Sequence, residues 1–212
     1  MVSVNLIDQL ARDVEPVAHR ALERSIGAGL GAGAVGALGL VLALYGVQPD
    51  LGTFAHGAPL LMKWAYALTV AIVALAMALV LSRPGAAERD ARWLALPIVA
   101  LAALALWQLA QVPAAARADM MMGSSWDKCP WRIVALAMPV MAGLIVTARR
   151  QAPVRLRRTG AAIGLLSGAT AATLYALACT ESSAAFVLIW YSLGIALATG
   201  IGALVGPRLL RW

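Results

Sequence analysis

Arg149-Arg150-Gln151-Ala152-Pro153-Val154-Arg155-Leu156-Arg157-Arg158 places five arginines in ten residues, between two long apolar runs. The first run extends from Ile133 to Ala148 and the second from Thr159 to Ala178, with Cys129 and Cys179 at their far ends. Two such runs joined by a short charged loop read as an antiparallel pair of membrane helices. Arginines then mark one membrane face and the only two cysteines mark the other. Thiols that are distant in sequence become level with each other.

Outward from that hairpin, the chain of 212 residues is 62% hydrophobic and 13% charged. Soluble domains are roughly half apolar and about a quarter charged, so this is an integral membrane protein. About 20 mostly apolar residues cross the hydrocarbon as one helix. Six such runs occur, near 27–47, 60–82, 93–112, 130–148, 159–178 and 184–206. The expected fold is an all-α bundle of six transmembrane helices spanning 26–212, preceded by an N-terminal segment, 1–25. That segment lacks the basic start and short apolar core of a signal peptide, so it is expected to be retained.

Sorting the charges through six spans places thirteen basic residues on one side and only Lys63, Arg117, Lys128 and Arg132 on the other. Under the positive-inside rule both termini are cytoplasmic. The net charge of +7 therefore lies against anionic lipid, and direct nucleic-acid binding is not expected. Lys63 and Arg132 lie within about a turn of the span ends, where long side chains can snorkel to water. No ionisable residue falls at mid-membrane, which counts against a proton-coupled transporter or an ion channel.

The N-terminal segment is the part that could act in the cytosol. Leu6, Ile7, Leu10, Val14 and Val17 recur at helical spacing after Asn5, a favoured capping residue, and Pro16 sets a break. A helix of about ten residues is too short to stand alone in water. It needs a surface, either lipid or protein, and the acidic face from Asp8, Asp13 and Glu15 favours protein over anionic lipid. A row of Leu6, Leu10 and Val14 is suited to a partner's apolar groove.

Small residues recur at every fourth position as Gly160, Gly164, Gly168, Ala172 and Ala176, and as Gly194, Ala198, Gly202 and Gly206. Such rows bring helix backbones close, either within one bundle or between copies in a homo-oligomer. With neither a CxxC pair nor a Cys/His cluster, no structural zinc, haem or other cofactor is expected. His56 and Met120-Met121-Met122 are weak evidence for a metal site, and Cys129 and Cys179 are the candidates if a metal is held at all. The spacing alone leaves two roles open for those cysteines, reactive outer thiols or small apolar residues at helix ends.

Several strings resemble one known family. Tyr175-Ala176-Leu177-Ala178-Cys179-Thr180-Glu181-Ser182, Trp190-Tyr191, the closing Leu209-Leu210-Arg211-Trp212 and the opening Leu6-Ile7-x-x-Leu10-Ala11-x-Asp13-x-x-Pro16-Val17 are similar to the NrsF family of six-span inner-membrane anti-sigma factors. The resemblance implies that Leu6, Ile7, Leu10, Asp13, Val14, Pro16 and Val17 hold an extracytoplasmic-function (ECF) sigma factor. It also implies that Cys129 and Cys179 sense heavy metals or oxidants outside, and that the protein is not an enzyme. The family often has His-Cys-Pro-Glu where this chain reads Ala178-Cys179-Thr180-Glu181, so one potential metal ligand is missing. From the residues alone, a membrane thiol-disulfide oxidoreductase or a small-solute transporter are the alternatives.

Overall fold

The computed structural model of the chain describes residues 21–48, 57–81, 91–151 and 153–211. These residues form helices joined by turns, with no strand among them. We number the helices α1 (Ala21–Leu44), α2 (Ala58–Leu81), α3 (Ala95–Ala110, led by a 3-10 turn Ala91–Leu94), α4 (Ala114–Met122), α5 (Cys129–Arg149), α6 (Leu156–Tyr175) and α7 (Ala184–Leu209). A π-helical stretch, Val187–Tyr191, lies within α7.

Five of these helices, α1, α2, α3 with its leading turn, α5 and α7, are long and apolar enough to cross a membrane. Their large side chains face outward: Val35, Leu42, Leu61, Ile72, Val99, Leu106, Val146 and Leu204 are all more than half exposed. The interior instead holds many alanines, among them Ala37, Ala67, Ala74, Ala137, Ala169 and Ala198. Apolar surface of that extent is untenable in water but suits lipid, where helices associate through small residues. The chain is a membrane protein.

The run expected at 159–178 forms α6, which has 20 residues, long enough to span, but is less apolar than the other five helices. The reason is its place in the bundle. It packs against α1, α2, α5 and α7, and Thr159, Gly160, Gly164, Ser167, Gly168 and Ala172 are all buried. A helix sheathed by its neighbours needs little lipid-facing side chain. The Ser167 hydroxyl donates to the Ile163 carbonyl (2.8 Å), so even this buried polar group is satisfied within the helix.

Helix directions follow from contacts between backbones. Gly29 of α1 lies against Gly143 of α5, and Gly33 against Val140, so these two helices are antiparallel. Gly160 lies against Gly202 and Gly206, Gly164 against Ala198, and Gly168 against Ile195, which makes α6 and α7 antiparallel as well. Gly194 meets Ile133, so α5 and α7 start at the same end. Thr159 reaches the Leu81 carbonyl (3.4 Å) while Trp64 donates to the Thr173 carbonyl (3.2 Å), setting α2 antiparallel to α6. The bundle therefore has two chemically distinct ends. Among the described residues, Arg24, Arg149, Arg150, Arg155, Arg157, Arg158, Arg208 and Arg211 gather at one end. Cys129 and Cys179 lie at the other.

Two details depart from the sequence reading. Pro97, inside the expected span 93–112, falls in the first turn of α3, where its missing N–H leaves the helix interior intact. Residues 114–122, which lie between the expected spans 93–112 and 130–148, form the short helix α4, which follows Pro113 and begins Ala-Ala-Ala.

Candidate functional site

The end opposite the arginines carries the only cluster of reactive and charged side chains buried among the described residues. Cys129 is the first residue of α5, next to Pro130, and is 0% exposed. Beyond Tyr175 the chain folds back in a turn, with the Ala178 and Cys179 amides donating to the Tyr175 carbonyl (2.9 and 3.0 Å). That turn carries Cys179 into the same apolar core as Cys129, at 2% exposure. Both cysteines are free thiols.

Lys63, on the second turn of α2, is 1% exposed, and its Nζ donates to the Cys179 carbonyl at 2.6 Å. The snorkelling expected of this residue does not occur. Its ammonium turns into the protein, close enough to both cysteines and to Glu181 to act on them electrostatically. Arg132 also turns inward: it donates to the Tyr175 hydroxyl (3.2 Å) and its guanidinium lies 4.8 Å from the Tyr45 ring centre. The Tyr191 hydroxyl is buried without a hydrogen-bond partner among the described residues and faces Cys179.

A polar lid covers this cluster. Glu181, two residues beyond Cys179, accepts from the Ser124 amide (2.8 Å), the Ser124 hydroxyl (2.7 Å) and the Ser125 hydroxyl (3.3 Å). Trp190 donates to the Met121 carbonyl (3.0 Å) and packs on Trp126, while the Gln108 side chain accepts from the Ala184 amide (2.9 Å). The α4–α5 connection is thus fastened over the turn that carries Cys179. Gly123 makes this possible, since its φ is +59° and a Cβ there would stand 2.6 Å from a Glu181 carboxylate oxygen. Gly123→Val should cost roughly 2 kcal/mol from backbone strain and the lost lid contact, lowering the unfolding midpoint in detergent by about 4–8 °C. Maleimide should label Cys129 and Cys179 faster in this variant. A midpoint and labelling rate equal to wild type would show that the lid is not closed by Gly123.

A profile of negative regulators of sigma F, NrsF, matches residues 10–212. A probable anti-sigma-F factor NrsF from Azospira oryzae is 35% identical over all of both chains. An anti-sigma-F factor NrsF from Caulobacter vibrioides is 37% identical over 98% of each chain. The chain belongs to the NrsF family. No solved structure matches it significantly. Membership makes this a regulator rather than an enzyme.

Among the described residues no group of three or more His, Cys, Asp or Glu side chains could hold a metal ion. Cys129 and Cys179 are the only cysteines in the chain. Two thiols can be joined as a disulfide, or across one thiophilic ion bound by two thiolates. Leu6, Ile7, Leu10, Asp13, Val14, Pro16 and Val17 lie outside the described residues, and the family match begins at Leu10. Sequence reasoning missed Lys63, Tyr175 and Tyr191 as members of the cluster. The available signal was the lysine itself, since a charge inside an apolar run is a functional candidate by default.

Proposed function

We propose that the chain is a six-span inner-membrane anti-sigma factor with both termini in the cytoplasm. Residues 1–25 hold an ECF-type sigma factor, and 26–212 form the membrane domain that releases it when Cys129 and Cys179 are bridged by an oxidant or a thiophilic metal outside. The observation that carries this reading is the full-length similarity to relatives named as anti-sigma-F factors. The bipolar bundle supports it: the arginine-rich end suits the cytoplasmic leaflet, and the thiol end then faces an oxidising compartment.

The deciding experiment uses the double variant Cys129→Ser, Cys179→Ser in intact membranes. It should capture its sigma factor as wild type does and keep it through oxidant or metal treatment, whereas wild type lets it go. Release from the double variant would remove the thiols from the mechanism. Failure of wild-type protein to co-purify any sigma factor would remove the function.

A further inference from the structure

A change at the thiol end of the bundle acts on the arginine end only through a helix that joins the two. Lys63 and Lys128 are the only lysines in the chain, and Lys63 is the one that is buried. The partner of its Nζ is a neutral carbonyl, that of Cys179 itself. Lys63 and Trp64 together pin the start of α2 to the end of α6, each donating to an α6-side carbonyl. The titratable groups near the ammonium are Glu181, one of whose carboxylate oxygens accepts from Ser124 and Ser125, and the two cysteine thiols. Arg132 is turned onto Tyr175 and Tyr45.

We propose that Lys63 is the positioning residue that couples the thiol pair to α2: bridging Cys129 to Cys179 withdraws the Cys179 carbonyl, and the unpartnered ammonium swings α2 out toward water. This inference rests on the thiols being the sensor, as proposed above. The two cysteines are unequal in a way that gives the motion its direction. Cys129 sits in the first turn of a 21-residue helix beside a proline, so it is held by the helix backbone. Cys179 sits in the turn beyond α6, tied down by its amide and by Lys63. A bridge therefore draws the turn toward α5. A buried ammonium that loses its acceptor is penalised in an apolar core until it reaches water or gives up its proton. Because α2 runs the length of the bundle to Leu81, its displacement at Lys63 is felt at the arginine end.

Amine labelling reads this directly, because one substitution, Lys128→Arg, leaves Lys63 as the sole lysine. Full-length Lys128→Arg protein in membranes is treated with diamide, whose azo group takes up the two electrons and two protons as the two thiols become a disulfide. A membrane-impermeant N-hydroxysuccinimide ester then acylates accessible amines, and mass spectrometry locates them. Lys63 should be protected at rest and label at least tenfold faster once the disulfide forms, and Cys129→Ser, Cys179→Ser should abolish the increase. Equal labelling before and after bridging overturns the proposal. A second variant tests the coupling: Lys63→Met should form the disulfide normally yet retain its sigma factor, while Lys63→Arg should restore release. Release from Lys63→Met at the wild-type level overturns the proposal as well. If bridged wild-type protein exposes Lys63 but keeps its sigma factor, the displacement stands and the sensing reading fails.

Discussion

Leu10→Asp should lose sigma-factor capture by a hundredfold or more while the protein still inserts and accumulates in the membrane. The residue stands in the middle of the row Leu6, Leu10, Val14, whose spacing of four puts all three on one face of a helix. If that face fills an apolar groove, the substitution buries an unpaired carboxylate, at a cost of several kcal/mol. At 1.4 kcal/mol per tenfold, about 3 kcal/mol already exceeds a hundredfold in affinity. Asp8 and Glu15 would fall on the far side of such a helix, so Glu15→Gln should weaken capture far less than Leu10→Asp. Membranes carrying each variant, solubilised and probed for the bound sigma factor, compare them side by side. Undiminished co-purification with Leu10→Asp would show that the N-terminal segment is not the binding element.

The apolar runs were legible because a membrane helix must satisfy all its backbone polar groups within itself, so its signal is local and survives any tertiary arrangement. The expected 184–206 and 60–82 compare with observed Ala184–Leu209 and Ala58–Leu81. Apart from the α5–α6 pair, read from the short loop that joins them, which helix touches which was not legible. The glycine rows of α6 and α7 are visible as a period of four, but nothing in that period says that Gly160 meets Gly202 rather than a second copy of itself. Lys63 shows the same limit. Near the end of a span, outward and inward orientations of a long side chain differ only in what stands beside it, and here that is the Cys179 carbonyl, 116 residues away. The thiols could be assigned to one end from the hairpin, yet their burial comes from the turn after Tyr175 and from the lid fastened by Glu181. The π-helical stretch Val187–Tyr191, which carries Tyr191 into the cluster, has no counterpart in the hydropathy pattern.

Gly202→Leu should destabilise the bundle by about 3 kcal/mol or more, through overpacking that no side-chain rotation can relieve. A Cβ at 202 would meet the Gly160 carbonyl oxygen, the Gly164 Cα at 2.9 Å and the Gly164 nitrogen at 3.0 Å, all of them backbone. The reciprocal contact, a Cβ at 160 against the Gly202 carbonyl, is equally closed. To admit the side chain, α7 has to move away from α6, the helix on which α1, α2 and α5 also pack. Separation at this seam therefore loosens the bundle rather than one helix. Gly200 supplies the control within the same helix, since a Cβ there meets nothing within 4 Å. Gly200→Ala should be neutral or stabilising by up to about 1 kcal/mol, the difference in helix propensity. Thermal or denaturant unfolding in detergent separates the two variants, and their steady-state amounts in the membrane should rank in the same order. Equal stability of Gly202→Leu and wild type would mean that α6 and α7 are not in contact along this row.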